Sequence, residues 1–300
     1  MNQLGKQLEQ RFFRYLAIES QSNAVKAVVP SSEGQRNLAK LLAKELESYS
    51  LKDIYIDEHA ILYAVRPGNK PSVPKIGFVT HLDTVDVGLS SVIKPQTLKY
   101  QGKDLCLNSA EDVWFKAQEH PEAEPYVGED IIFSDGTSVL GADNKAAITV
   151  VMEVMDKLQY ADFDCGDIYV AFVPDEEIGL RGAKIMDLTR FKVDFAYTID
   201  CCALGEVVYE TFNAASVEVL IKGVTAHPMS AKNILLNPIR VAYDFISCFD
   251  RCDTPEHTEQ REGYFYFTDL IANSDNAKIK MAIRDFGRNS YEARKRYISY

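Results

Sequence analysis

The sequence has 300 residues, 46% of them apolar and 26% charged, and carries a net charge of −11. That length suits one large domain or two smaller ones, each with a real core. The acidic balance argues against nucleic acid or an anionic membrane surface as the main partner, since both favour basic proteins.

The first residues, Met1 to Lys6, lead into an amphipathic segment and do not read as a secretory leader. Leu4, Leu8, Phe12 and Leu16 recur at helical spacing, as do Leu38, Leu41, Leu42 and Leu46, so two helices are predicted. Between them, residues 20–35 read as a loop with several serines, Pro30 and Gly34. Short strands follow at 54–56 and 61–65, then one that ends at His81. Residues 100–130 carry little pattern and include Pro121, Pro125 and Gly128, which suggests a surface excursion. A helix is predicted from about 144 to 158, with strands at 168–173 and 195–199 around it.

This alternation predicts an α/β domain over 1–208, a mixed or parallel sheet with covering helices. From about Phe212 the pattern changes. Strands are predicted at 216–222, 263–271 and 278–285, with helices at 235–249 and 289–300. The order β-α-β-β-α is a ferredoxin-like unit without its last strand, so residues 209–300 read as an incomplete α+β domain. No stretch is long and apolar enough to span a bilayer. Six cysteines without zinc-ribbon spacing suit the reducing cytoplasm.

The chemistry sits where apolar runs stop. His81-Leu82-Asp83 follows one such run, Glu176-Glu177 a second and Asp200 a third, while Asp143 lies in Gly141-Ala142-Asp143-Asn144-Lys145 before a helix. Open α/β sheets gather ligands at strand ends, so these groups are expected to converge. Imidazole and carboxylate are zinc donors, and a catalytic zinc keeps one position open for water. Two metals ~3.5–4 Å apart need a bridging ligand, a role that suits Asp143. Asp83 is placed to orient the imidazole of His81. Of the adjacent Glu176 and Glu177, one can bind metal while the other takes a proton from water. Singly, each has a plainer reading: a helix N-cap for Asp143, a turn residue for Asp200, a solvated helix start for residues 175–177. Four clusters bearing such groups together make coincidence a poor account.

These motifs resemble the peptidase T family, the tripeptide aminopeptidases among the co-catalytic zinc exopeptidases. The likeness rests on His81-Leu82-Asp83-Thr84, Gly141 to Lys145, Pro174-Asp175-Glu176-Glu177-Ile178-Gly179, Tyr197-Thr198-Ile199-Asp200, Phe212-Asn213-Ala214-Ala215-Ser216 and Ile283-Arg284-Asp285-Phe286. It runs from the first helix to Tyr300. It implies a catalytic domain over 1–208 and a lid, which also serves dimerisation, over 209–300. His81 and Asp200 would hold one zinc, Asp143 would bridge, and Glu177 would bind the second. Glu176 would be the general base and Asp83 the acid that orients the imidazole. In the lid, His227 would polarise the scissile carbonyl across a homodimer, Arg284 would grip the peptide's C-terminal carboxylate, and Asn213 would also contact the small-peptide substrate.

The sequence departs from the family at three places. Asn144 replaces a second aspartate, and Cys201-Cys202 replaces a glycine pair after Asp200; both cysteines are expected to tuck into the sheet. The family also continues into a C-terminal segment that completes the lid and supplies a last histidine to the second zinc. No histidine follows His257 here, so the chain looks truncated relative to the family and its second zinc is expected to lack a ligand. The main expectation is a zinc aminopeptidase of the cytoplasm. The alternatives are a degenerate member that binds zinc weakly without turnover, and a related deacylase or carboxypeptidase.

Overall fold

The computed structural model describes residues 2–160, 163–200 and 203–299, which fall into two compact units, Met1–Cys202 and Ala203–Tyr300. The Cys201-Cys202 pair lies outside the described residues, as does Tyr300.

In the first unit Asn2 caps α1 (Gln3–Leu16), its Oδ1 accepting from Gly5 N at 2.8 Å. The apolar stripe of that helix buries Phe12, Tyr15 and Leu16. α2 (Glu33–Ser48) buries Leu38, Ala39, Leu42, Ala43 and Leu46 at helical spacing. Gly34, in its first turn, lies so close to preceding chain that a Cβ there would stand 1.5 Å from the carbonyl oxygen of Glu19. Next come β1 (Lys52–Ile56), β2 (Leu62–Arg66), β3 (Ile76–His81), β4 (Pro95–Lys99), β5 (Leu105–Asn108), β6 (Val113–Phe115) and β7 (Asp130–Ser134). The unit is completed by α3 (Ala142–Leu158), β8 (Ile168–Val173), a short α4 (Arg181–Lys184) and β9 (Phe195–Thr198).

Five strands form one mixed sheet in the order β1-β2-β8-β3-β9. β1, β2 and β8 pair antiparallel, whereas β3 runs parallel to both β8 and β9. All six residues of β8 are buried, because its unbroken apolar run faces packing on both sides. On one face Leu62, Val170 and Phe172 meet the helices through Leu38, Leu42, Ile148 and Met152. On the other, Tyr63, Tyr169, Val173 and Phe191 form a second layer. The register sets His81 opposite Val173 and Val79 opposite Thr198. The C-terminal ends of three neighbouring parallel strands therefore share one edge.

Residues 100–130 differ from the unpatterned excursion expected of them. β5 and β6 form a hairpin within them, and β4 pairs antiparallel with β7 at their border. These strands have three to five residues, and β4 begins at a proline, too little length for alternation to register in sequence. Phe115 packs edge-on against Tyr100 and Phe133 and stacks on His120.

The second unit contains β10 (Asn213–Lys222), α5 (Pro238–Ser247), β11 (Tyr264–Ala272), β12 (Asn276–Asp285) and α6 (Arg288–Ile298). Its antiparallel sheet has the order β10-β12-β11, with alternate residues such as Ile279, Met281 and Ile283 buried beneath the helices. α5 starts three residues later than periodicity predicts. Asn237 Oδ1 accepts from Ile239 N at 2.9 Å, and proline at the first helical position disfavours helix before it. Among the described residues no helix is long and apolar enough to cross a membrane.

Candidate metal centre

Six of the residues singled out in the sequence lie in the first unit, and the shared strand edge positions them. His81 is the last residue of β3 and is buried. Asp83 follows it on a chain held to β8 by Leu82 N donating to Val173 O at 2.8 Å. Glu176 and Glu177 follow β8, and Asp200 follows β9. Asp143 opens α3 but is not helical, with φ/ψ of −77° and 105°. The regular helix starts beyond Asn144, which leaves the Asp143 carboxylate exposed at the edge.

His81 Nε2 lies 2.9 Å from Asp143 Oδ1 and 4.0 Å from both Glu176 Oε2 and Asp200 Oδ2. Two overlapping groups, His81–Asp143–Glu177 and His81–Glu176–Asp200, each bring three donor atoms within 4.8 Å of one another. His81 Nδ1 sits 3.0 Å from Asp83 O and 3.3 Å from Asp83 Oδ1, so Nδ1 donates to Asp83 and Nε2 is the nitrogen that faces the other carboxylates. The fully buried Asp83 does more than orient the ring. Its Oδ1 and Oδ2 accept from Glu176 N at 2.9 Å and Glu177 N at 3.1 Å.

Electrostatics follow from this crowding. Burial opposes charging of His81, but the hydrogen bond to Asp83 and the charges of Asp83, Asp143 and Glu176 outweigh it and raise its pKa to about 9. Burial, then the charge of Asp143, pushes the Glu177 carboxyl up to about 7. Glu176 is raised as well, first by burial and then by Asp200, Asp83 and Asp143, against the opposing pull of His81. Among the described residues Glu177 Oε1 is buried without a hydrogen-bond partner, an unstable arrangement for an anion unless a cation faces it. Nitrogen and carboxylate donors, an excess of negative charge and an orphaned acceptor together fit zinc.

Asn144, the departure noted in the sequence, is buried and fully engaged. Its Oδ1 accepts from His81 N at 3.2 Å, and its Nδ2 donates to Ile199 O at 2.8 Å and Asp200 Oδ1 at 3.0 Å. Ser31 and Gln35, which hydrogen-bond Asp175 beside the two glutamates, carry no signal in the sequence. No spacing signal links positions 31 and 35 to 175.

His227, Asn213 and Arg284 belong to the second unit. His227 is exposed, its Nδ1 accepting from Met229 N at 3.3 Å. Asn213 Nδ2 donates to the carbonyls of Asp285 and Phe286 at 3.1 and 3.2 Å, joining the ends of β10 and β12. The guanidinium of Arg284 donates to Ile283 O at 2.9 Å and stands over the Phe212 ring at 5.6 Å.

Comparison with known proteins follows the same lines. Residues 129–240 match the M42 glutamyl aminopeptidase family, and residues 209–298 match the peptidase dimerisation domain. A peptidase T-like protein of Yersinia pestis is 65% identical over 296 residues, covering 98% of this chain and 72% of its own length. Peptidase T of Geobacillus thermodenitrificans is 38% identical over 295 residues, covering 97% of this chain and 72% of its own. The crystal structure of a tripeptidase from Staphylococcus aureus shares the fold with a TM-score of 0.74 at 21% identity, over 98% of this chain and 70% of that one.

Proposed function

Because the chain belongs to the peptidase T family, we propose that it is a zinc-dependent aminopeptidase that removes the N-terminal residue from tripeptides. The observation that carries this reading is the convergence of His81, Asp143, Glu176, Glu177 and Asp200 at the ends of neighbouring strands. His81 and Asp200 would hold one zinc ion and Glu177 a second, with Asp143 between them. Bound zinc supplies Lewis-acid polarisation of the substrate carbonyl and lowers the pKa of water.

Glu176 is the proton carrier. Its carboxylate takes a proton from the attacking water as oxygen bonds to the carbonyl carbon. It returns that proton to the amine nitrogen as the peptide C–N bond breaks. Its raised pKa brings it nearer to neutral pH, which suits a group that must both accept and donate. Asp83 fixes the His81 tautomer through Nδ1 and holds the amides of both glutamates. His227 is assigned to the scissile carbonyl and Arg284 to the C-terminal carboxylate, for which a guanidinium fork is suited. Asn213 has only its carbonyl oxygen left for substrate, since its amide hydrogens serve Asp285 and Phe286. A homodimer through the second unit accords with its dimerisation-domain match. A cytoplasmic setting accords with free thiols at Cys106, Cys165, Cys248 and Cys252.

Zinc-loaded protein should release the first residue of a free tripeptide and leave the N-acetylated form intact, and Glu176→Ala should abolish release. Turnover that survives Glu176→Ala overturns the role of that residue. Cleavage of the acetylated form in preference to the free one overturns the aminopeptidase assignment in favour of a deacylase.

A further inference from the structure

The segment between α1 and α2 supplies no metal donor, yet it touches both loops that do. Ser20 Oγ donates to Leu82 O at 2.8 Å, and Ser22 N donates to Thr84 O at 3.0 Å, beside His81 and Asp83. At its far end the segment reaches Asp175, the residue before Glu176. Asp175 is completely buried. Its Oδ2 accepts from Ser31 N at 2.7 Å, and its Oδ1 accepts from Ser31 Oγ at 2.6 Å and Gln35 Nε2 at 2.7 Å. Gln35 also accepts from Asp175 N at 2.9 Å through Oε1, so one amide side chain satisfies both the backbone and the carboxylate of Asp175.

Residues 175 and 176 belong to no helix or strand, and Asp175 has φ of +55°, in the left-handed region that side chains other than glycine rarely adopt. The turn is therefore held by its partners and not by a ladder. Two side-chain clamps act on it beside the backbone bonds from Arg181 N to Asp175 O and from Leu180 N to Glu176 O: Asp83 takes the amides of Glu176 and Glu177, while Ser31 and Gln35 take Asp175. With one clamp released, the glutamates keep their chemistry but lose their aim.

Resting on the reading of Glu176 and Glu177 given above, we propose that Ser31 and Gln35 are positioning residues that set both glutamates through Asp175. Gln35→Met keeps the side chain's length and removes both hydrogen bonds to Asp175, along with those to the hydroxyls of Ser31 and Ser32. Ser31→Ala removes the Oγ bond while leaving Ser31 N on Asp175, and Ser31→Thr restores a hydroxyl. Zinc affinity, read by competition with a chromogenic chelator, should fall roughly 10–100-fold in Gln35→Met, as for other groups that orient metal ligands. It should fall less in Ser31→Ala and recover in Ser31→Thr. In a Glu177→Gln background, Gln35→Met should cost little more, because both losses run through one ligand. In zinc-loaded protein kcat should fall more than KM rises.

Unchanged zinc affinity in Gln35→Met and Ser31→Ala would overturn the inference. So would a Gln35→Met loss that is equally large without Glu177, since that is how a general loss of packing behaves. If Gln35→Met does not fold, the Ser31→Ala and Ser31→Thr pair decides. Because the affinity readout needs no turnover, wild-type protein that binds zinc but leaves tripeptides uncut overturns the function while the clamp stands or falls on its own result.

Discussion

Asn144 and Asp200 are joined by a hydrogen bond that an ionised carboxylate at position 144 could not make. Asn144 Nδ2 donates to Asp200 Oδ1 at 3.0 Å while also serving the carbonyl of Ile199 at 2.8 Å. In Asn144→Asp a carboxylate would face two acceptors in a buried position. The metal-free variant should lose about 1–3 kcal/mol relative to wild type at pH 8, the cost of stranding buried acceptors. The new carboxyl would have its folded pKa raised above the unfolded one, so the deficit should shrink as the pH falls and protonation restores a donor. Denaturant titrations of both proteins at pH 8 and pH 5 check this; an equal deficit at both would contradict it.

Zinc uptake should release protons. Without metal, His81 is held as a cation with a pKa raised to about 9, burial opposing and Asp83, Asp143 and Glu176 prevailing. That shift stabilises the metal-free fold fully below the unfolded value near 6.5, and the stabilisation is lost as pH rises through about 9. A metal at Nε2 must displace its proton, so at pH 7.5 about one proton should leave per zinc bound at His81. Calorimetry in buffers of different ionisation heat measures this directly. Heats that do not depend on the buffer would rule it out.

Lys145 is fully buried, and among the described residues its Nζ donates one hydrogen bond, to Ile18 O at 2.6 Å. Burial lowers its pKa to about 7. Between that value and the unfolded one near 10.5 the unfolded chain binds the extra proton, so stability rises with pH across the window. Lys145→Met should flatten that slope. The variant's stability relative to wild type should be most favourable at or below pH 7 and decline towards pH 10, as read by urea unfolding at several pH values.

Arg11 ties three helices together. Its guanidinium reaches Glu45 and Glu153 at 3.1 Å and Asp156 at 2.9 Å, and its side chain is only 9% exposed. Arg11→Met would remove the cation that all three carboxylates share, leaving Glu45 with Arg14 and Glu153 with Lys157 at the margin of the cluster. A loss of about 3–5 kcal/mol is expected, the range for removing one partner from a buried ionic cluster. Equilibrium unfolding measures it, and a loss below about 1 kcal/mol would show the cluster to be no better than an exposed pair.

Much of the architecture can be read directly from the chain. Residues 168–173 form an unbroken apolar run because β8 is covered on both faces, and that run stops where Glu176 and Glu177 must stand. The mixed sheet follows from such runs alternating with helical periodicity. Pairings made by side chains leave no such trace. Ser31 and Asp175 lie 144 positions apart and Gln35 and Asp175 140, and no period relates them. Asn144 reads as a lost charge, yet in the folded chain it is a donor shared by Ile199 and Asp200. The β4–β7 and β5–β6 ladders escape notice because three to five residues with irregular burial look like loop.

Gly34 has no functional group, yet the aim of the two glutamates depends on its smallness. It stands one residue before Gln35 and three after Ser31, pressed against the backbone of Glu19. Even a methyl group there would act as a wedge, lifting the first turn of α2 and carrying the Asp175 clamp with it. Distance from the metal donors is thus a poor guide to which positions tolerate change. The site's precision is stored partly in a backbone-to-backbone contact with Glu19 that no side chain could share.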